Sequence, residues 1–355
     1  MNKYKIFHTI YTTVFKPVAF LMDAEFVHNR ITNVGEFLEN YPVMVEGLFS
    51  YKNNNLKKNV LGVEFENPIG LSAGFDYDGH LAKVLKHVGF GFNTVGTVTA
   101  MAYDGNSGVR LARLPKSRSL LVNKGFKSEG AIKVAERLDE KKLNKYTIGI
   151  SVGSSNIPQV NTIEKAIKDY LFTFSVFKNK KNVKYFELNI SCPNTSMTES
   201  FTDPKNFQKL VKKVKALKIK VPIFVKMPNE ISFQKSDELV SIAIKNGIKG
   251  FIFSNLVKDR TNPGFVKSEI KKFKNFRGNF SGRVTFENSN KLIKHTRTKF
   301  GKNIAIIGTG GVFSAEDVKV KMDSGADLVQ LITGIIYEGP QLIGEMCSEM
   351  VKYGV

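Results

Sequence analysis

The feature that most constrains this chain is an alternation of short β-like runs with helix-like segments, repeated eight times between residue 69 and the C-terminus. The β-like runs are residues 69–73, 92–96, 146–152, 185–190, 222–226, 250–254, 304–308 and 328–331. Each is short, apolar and bounded by turn formers. Helical spacing of apolar positions fits 79–87, 129–141, 162–179, 204–217, 234–246, 287–298 and 315–323, with a last helix at the C-terminus. Strands joined through helices pair in parallel, and eight such units close a barrel. The predicted fold class is therefore α/β, a (β/α)8 TIM barrel over residues 60–355. Such a barrel takes roughly 250 residues, so part of the 355-residue chain is left for extensions and insertions. Residues 60–66 suit a hairpin across the barrel floor. Irregular stretches after Gly96 and Ser254 suit long βα loops over the active-site end.

Residues 1–50 form a separate helical extension. Phe7, Ile10, Tyr11, Val14 and Phe15 recur every three or four positions, which predicts a helix with one apolar face. Pro17 is expected to end or kink it. Asp23 can cap a second helix running to about Leu38, and Pro42 is expected to close the segment. Two readings of these helices stand. Either they pack onto the barrel wall, or they present an apolar face to a membrane surface or an apolar substrate.

The chain carries 53 Lys and Arg against 32 Asp and Glu, a net charge of +21. That favours anionic surfaces, although a lysine- and asparagine-rich composition gives the same excess. No nucleic-acid-binding signature accompanies it. Two cysteines, Cys192 and Cys347, suggest no disulfide framework and fit a reducing compartment. No run of eighteen apolar residues is long enough to cross a membrane, and no small-residue cleavage site follows the N-terminal lysines. There is no metal-ligand spacing, no glycoside-type carboxylate pair, no P-loop and no GxGxxG after a strand.

In a (β/α)8 barrel the residues just past each strand's C-terminal end face the site. Here those positions carry small residues, amides and one lysine, which suits a flat, hydrogen-bonding ligand across the barrel mouth. Gly308-Thr309-Gly310-Gly311 and Thr333-Gly334 occupy the seventh- and eighth-strand positions where barrels commonly hold a phosphate on backbone N–H groups. Lys226 ends an apolar strand; it either stabilises negative charge developing on the bound ligand or is a snorkelling, salt-bridged lysine. Cys192, between Asn189 and Asn194, is either the acid–base group of the site or simple packing.

These motifs, in this order, resemble the dihydroorotate dehydrogenase family, and in particular its membrane-associated, quinone-using branch. The most specific stretches are 67–76 (NPIGLSAGFD), 96–99 (GTVT), 189–195 (NISCPNT), 306–311 (IIGTGG) and 328–334 (LVQLITG), and the run at 23–29 (DAEFVHN) matches that branch's N-terminal extension. The resemblance implies FMN as cofactor, (S)-dihydroorotate as substrate, a quinone as electron acceptor and peripheral attachment to the cytoplasmic face of a membrane. It places the catalytic base at Cys192. Ala73, Gly74 and Thr97 fall around the flavin ring. Asn189, Lys226, Ser254, Ser281 and Gly282 fall on flavin contacts, and Gly310, Gly311, Thr333 and Gly334 on the phosphate cradle. Asn194 and Asn255, with Asn189, fall on amides that hold the pyrimidine. In this chemistry the base removes the C5 proton while the C6 hydride passes to the flavin.

Several positions depart from the family pattern. The quinone branch usually has serine where Cys192 stands. The lysine expected after Asp76 is Tyr77, and Lys124 or Lys127, on a different loop, could supply the lost positive charge. The loop expected as Met-Gly-Phe-Asn-Asn is Lys124-Gly125-Phe126-Lys127-Ser128, which lacks both amides. Ser151, Ile332 and Leu256 replace an asparagine, a tyrosine and a threonine. An unreplaced charge-assisted contact to a substrate carboxylate costs roughly 1.5–3 kcal/mol. The cofactor cradle is thus better kept than the substrate pocket. A different planar substrate, or a barrel without catalysis, is the alternative reading.

Overall fold

A computed structural model describes residues 3–190 and 200–354 of the chain. Eight parallel strands close a barrel: Ile69–Leu71, Phe92–Val98, Ile148–Val152, Val183–Asn189, Ile223–Met227, Gly250–Phe253, Ala305–Thr309 and Leu328–Leu331. They are referred to as the first to eighth strands. All eight expected runs are present, and the eighth pairs with the first to complete the ring (Val329 opposite Ile69). Strand residues are almost uniformly buried, because the inner face meets the barrel interior and the outer face meets helices. Helices Ala131–Glu140, Ile163–Phe177, Pro204–Ala216, Phe233–Lys245, Phe286–Phe300, Ala315–Asp323 and Leu342–Lys352 form the outer ring, each near its expected range.

The barrel floor is closed by a hairpin, Lys58–Val60 against Val63–Phe65. Phe65 is fully buried, its ring 4.9 Å from that of Phe92. Above it lies a polar layer. Glu187 Oε1 accepts from Thr94 Oγ1 at 2.6 Å and from Gln330 Nε2 at 2.7 Å. The upper half of the barrel interior is thus hydrogen-bonded rather than greasy.

Four expectations are corrected. The first crossover helix is only Val84–Val88, not 79–87. Gly74 and Gly79 take φ of +111° and +82°, and Asp76 Oδ2 accepts the Leu81 N–H, so residues 73–83 form a loop. Pro17 does not end its helix, which continues to Leu21. The turn Tyr11–Phe15 is π-helical, with the Lys16 N–H on Tyr11 O, so the ladder is already reorganised where a proline would otherwise clash. Pro42 opens a further helix, Pro42–Phe49, from its first position instead of closing the segment. Asp23 does cap helix Ala24–Leu38, accepting from Phe26 N at 2.8 Å.

The fourth correction matters most for the site. The two long loops are not irregular. They contribute Leu111–Leu114, Ser119–Val122 and Asn279–Gly282 to a three-stranded antiparallel sheet standing at the barrel mouth, with Ser119–Val122 in the centre.

The extension is tied to the barrel by polar contacts. Tyr11 OH donates to Ile336 O at 2.7 Å and Arg113 to Met22 O at 2.8 Å. Lys141 binds Glu39 at 2.8 Å. The packing reading of the extension holds for one of its faces. One face lies against the barrel, while Val14, Val18, Leu21 and Val43 point outward, Leu21 at 90% and Val43 at 85% exposure.

Candidate functional site

Three cavities follow one another across the barrel mouth and share residues at each junction. The first, of about 520 Å³, lies at the ends of the seventh and eighth strands. Ala73, Lys226, Ser254, Asn255, Ser281, Gly282, Gly310, Gly311, Thr333 and Gly334 line it, together with Ser72, Thr285 and Thr309. Its wall is backbone. Gly310 and Gly311 have φ of +104° and +73°, and a Cβ on Gly310 would stand 2.4 Å from Thr285 Oγ1. A Cβ on Gly334 would stand 2.1 Å from Val312 O. Glycine is required here for close approach as well as for the turn. Ser281, carried in by the inserted sheet, meets Thr333 hydroxyl to hydroxyl at 3.0 Å. Small hydroxyls and free-standing backbone around a polar cleft fit a phosphate-bearing end of a ligand.

The second cavity, of about 890 Å³, is reached past Ala73, Lys226, Asn255 and Ser281, which line both. Gly74, Thr97 and Asn189 line it as well. Asn189 Nδ2 donates to Thr97 Oγ1 at 3.0 Å, and Thr97 shares a hydrogen bond with Ser151 at 2.9 Å. Ser151 is therefore a buried support for Thr97. Lys226 is opposite Asn189 in the parallel register and only 6% exposed. On the sixth strand, Ser254 Oγ accepts from Asn229 Nδ2 at 2.6 Å. Asn255 uses its side-chain oxygen to accept the Leu256 N–H at 2.9 Å.

The third cavity, of about 1010 Å³, is apolar and lies between the extension and the barrel. Phe15, Phe20, Val27 and Ile31 face Leu111, Leu120, Ile335 and Ile336 across it. His28, Phe75, Leu111, Leu120 and Ile336 line this cavity and the second one, so they form the passage between them. The His28 ring stands edge-on to Phe75 at 5.2 Å and to Tyr77 at 5.3 Å. Burial, with help from nearby Lys124, pushes its imidazole down to about 4, so it is neutral near pH 7.

Thirteen of the fifteen site residues read from the sequence thus meet along this continuous path. Cys192 and Asn194 lie outside the described residues. Sequence reasoning missed Ser72, Thr285, His28 and Tyr77 as lining groups. Ser72 and His28 lie inside quoted motifs, 67–76 and 23–29, and Tyr77 was noted as a departure, whereas Thr285 carried no signal.

Asp76, in the loop after the first strand, is 2% exposed, and burial pushes its carboxyl up to about 6. The unfolded value is near 3.9. Between these values the folded chain holds more protons, so stability falls as pH rises, and the cost is complete above about pH 6. A shift of about two pKa units corresponds to roughly 3 kcal/mol. Asp76→Asn keeps an acceptor for the Leu81 N–H without the charge. It is expected to raise the melting temperature by several degrees near pH 7.5 and by little near pH 4. Equal gains at both pH values would remove the buried charge as the cause.

The sequence model of the dihydroorotate dehydrogenase family matches residues 55–353. A dihydroorotate dehydrogenase (quinone) from Christiangramia forsetii is 33% identical over 98% of this chain and 100% of its own. One from Bartonella henselae is 33% identical over 94% and 89%.

The chain belongs to the dihydroorotate dehydrogenase family.

Within it, the chain is a divergent member of the quinone-dependent branch. A solved structure shares the fold: DHODH from Eimeria tenella in complex with ferulenol superposes with a TM-score of 0.79 at 22% identity, covering 93% of this chain and 91% of that one. The glycine-walled cleft and the adjoining lysine- and amide-lined cavity fit the phosphate and ring of the flavin that a family member carries. No helix among the described residues is long and apolar enough to cross a membrane.

Proposed function

We propose that the protein oxidises (S)-dihydroorotate to orotate in pyrimidine biosynthesis, with FMN as cofactor and a quinone as electron acceptor. One observation carries the reading: a polar glycine-walled cleft, a lysine- and amide-lined cavity and an apolar passage open into one another in that order. A phosphate end, a flat reacting ring and a greasy electron acceptor need those three environments in that sequence. FMN, when bound, supplies the two-electron chemistry between substrate and quinone.

The chain's own groups divide the rest. Gly310, Gly311, Gly334 and Thr333 hold the phosphate end, with Ser281 and Gly282 closing over it. Ala73, Gly74, Thr97 and Ser254 bound the ring. Lys226 would place positive charge beside the bound ring. Asn189, Asn194 and Asn255 orient the pyrimidine, and Cys192 removes its C5 proton. The extension, residues 1–50, covers the barrel domain, residues 60–355, and leads the quinone in. Its outward Val14, Val18, Leu21 and Val43, with the +21 charge, suit a shallow seat on an anionic membrane surface at its cytoplasmic side.

The experiment has two halves. Anaerobic dihydroorotate should bleach the flavin of the purified holoprotein, and a soluble quinone should restore its colour faster than fumarate or NAD. The same preparation should sediment with anionic vesicles. Flavin that dihydroorotate leaves oxidised would remove the substrate assignment. A second reading keeps the flavin and changes the substrate to another small planar compound. Tyr77 and Leu256 in the lining of the second cavity favour it, and dihydrouracil in the same assay distinguishes the two.

A further inference from the structure

The second cavity is lined by three lysines, Lys124, Lys127 and Lys226, and among the described residues by no carboxylate. Lys226 is next to last in the fifth strand; the other two sit on the loop that follows the central strand of the inserted sheet. Lys124 is only 6% exposed, and an ammonium so buried needs a counter-charge. It finds Glu25, on extension helix Ala24–Leu38, at 2.6 Å. Glu25 is already shared with Arg110 at 2.8 Å, and Lys127 lies within electrostatic reach of Lys124. Among the described residues, one carboxylate is thus shared by two cations, with a third, Lys127, near one of them. His28 adds nothing to either side, being neutral. Burial opposes the charge of Glu25 as well, yet its two cationic partners hold the carboxyl below its usual value. An excess of positive charge at a poorly solvated cavity is relieved by a bound anion.

We propose that Lys124 binds the carboxylate of the substrate, and that Glu25 keeps the ammonium positioned until the substrate arrives. The proposal rests on the reading above that the ligand is a pyrimidine carboxylate. An ammonium has three donors, so it can take the substrate without leaving Glu25. The anion anchor then comes from the inserted sheet, under a helix of the extension, and not from a barrel strand. Glu25 shares the ammonium and repels an incoming carboxylate. Removing either member of this ion pair should therefore act in opposite directions on substrate binding.

The test measures orotate and uracil binding to the full-length, FMN-loaded protein by calorimetry, with bound FMN quantified in each variant. Uracil has the same ring without the carboxylate. Lys124→Met is expected to weaken orotate binding by about tenfold to a hundredfold, with uracil binding and FMN content unchanged. Glu25→Gln is expected to tighten orotate binding several-fold. Orotate affinity unaltered in Lys124→Met overturns the proposal. So does equal weakening in both variants, the signature of a merely structural ion pair. Wild-type holoprotein that binds orotate no better than uracil would instead bring down the carboxylate-substrate reading itself, and the proposal with it.

Discussion

Replacing Cys192 with alanine is expected to leave FMN bound and to slow bleaching of the flavin by dihydroorotate by about 10²–10⁴-fold. That is the usual range for loss of a positioned general base. The expectation starts from what the described neighbours offer. Asn189, at the end of the fourth strand, is held by Thr97 and stands three positions before Cys192 in the chain. The side-chain amides that line the cavity cannot take a carbon-bound proton. The other cysteine cannot substitute: Cys347 is fully buried in the C-terminal helix, and burial pushes its thiol up to about 12. A thiol acts as a base only as its thiolate, so the wild-type reduction rate should climb with pH. The climb should vanish with the sulfur. Stopped-flow absorbance near the oxidised flavin band, about 450 nm, reads both the rate and its pH profile. Kinetics that match the wild type in Cys192→Ala would transfer the base role elsewhere.

Gly310→Val should yield a folded but colourless protein. Gly310 sits at φ +104°, where a side chain is strained, and its Cβ would press within 2.4 Å of Thr285 Oγ1. Thr285 is 2% exposed and spends its hydroxyl on Gly282 O at 2.7 Å, so it has no room to yield. The valine methyls must enter the cleft itself or displace the turn that forms it. Backbone strain of this kind costs of order 1–3 kcal/mol, and the blocked cleft adds the loss of phosphate contacts, so FMN affinity should fall by at least about a hundredfold. Gly247→Ala separates the two effects. Its φ is +88°, equally unsuited to a side chain, but a Cβ there meets nothing within 4 Å. It should lose some thermal stability and keep its flavin. Flavin content and melting temperature are read on both. Retained colour in Gly310→Val would move the phosphate to another part of the mouth.

Much of the site was readable because it sits where local rules converge. Ala73, Gly74, Thr97, Asn189, Lys226, Ser254 and Asn255 follow or end barrel strands, so finding the strands found the residues. Gly310 and Gly311 announced themselves as a turn before a helix. Ser281 and Gly282 were different. They were placed on flavin contacts by resemblance alone, and nothing in their own stretch predicts that they form a strand beside Ser119–Val122. The departures at Tyr77 and Lys124 were visible, but their spatial relation was not. The Lys124 ammonium stands 5.3 Å from the centre of the Tyr77 ring, on loops 47 positions apart in the chain.

By itself the sequence determined the eight strand–helix units, the parallel barrel they close and the small-residue turns at its mouth. Each of those depends on backbone geometry and on which face is apolar within a few neighbouring residues. Only the tertiary structure decided that two distant loops pair as a sheet, that a π-helical turn carries the first helix past Pro17, and that Glu25 partners Lys124. Four-residue strands have too little periodicity to show their pairing. The counter-charge of a buried lysine is fixed by which surfaces meet after folding, and no spacing along the chain encodes it.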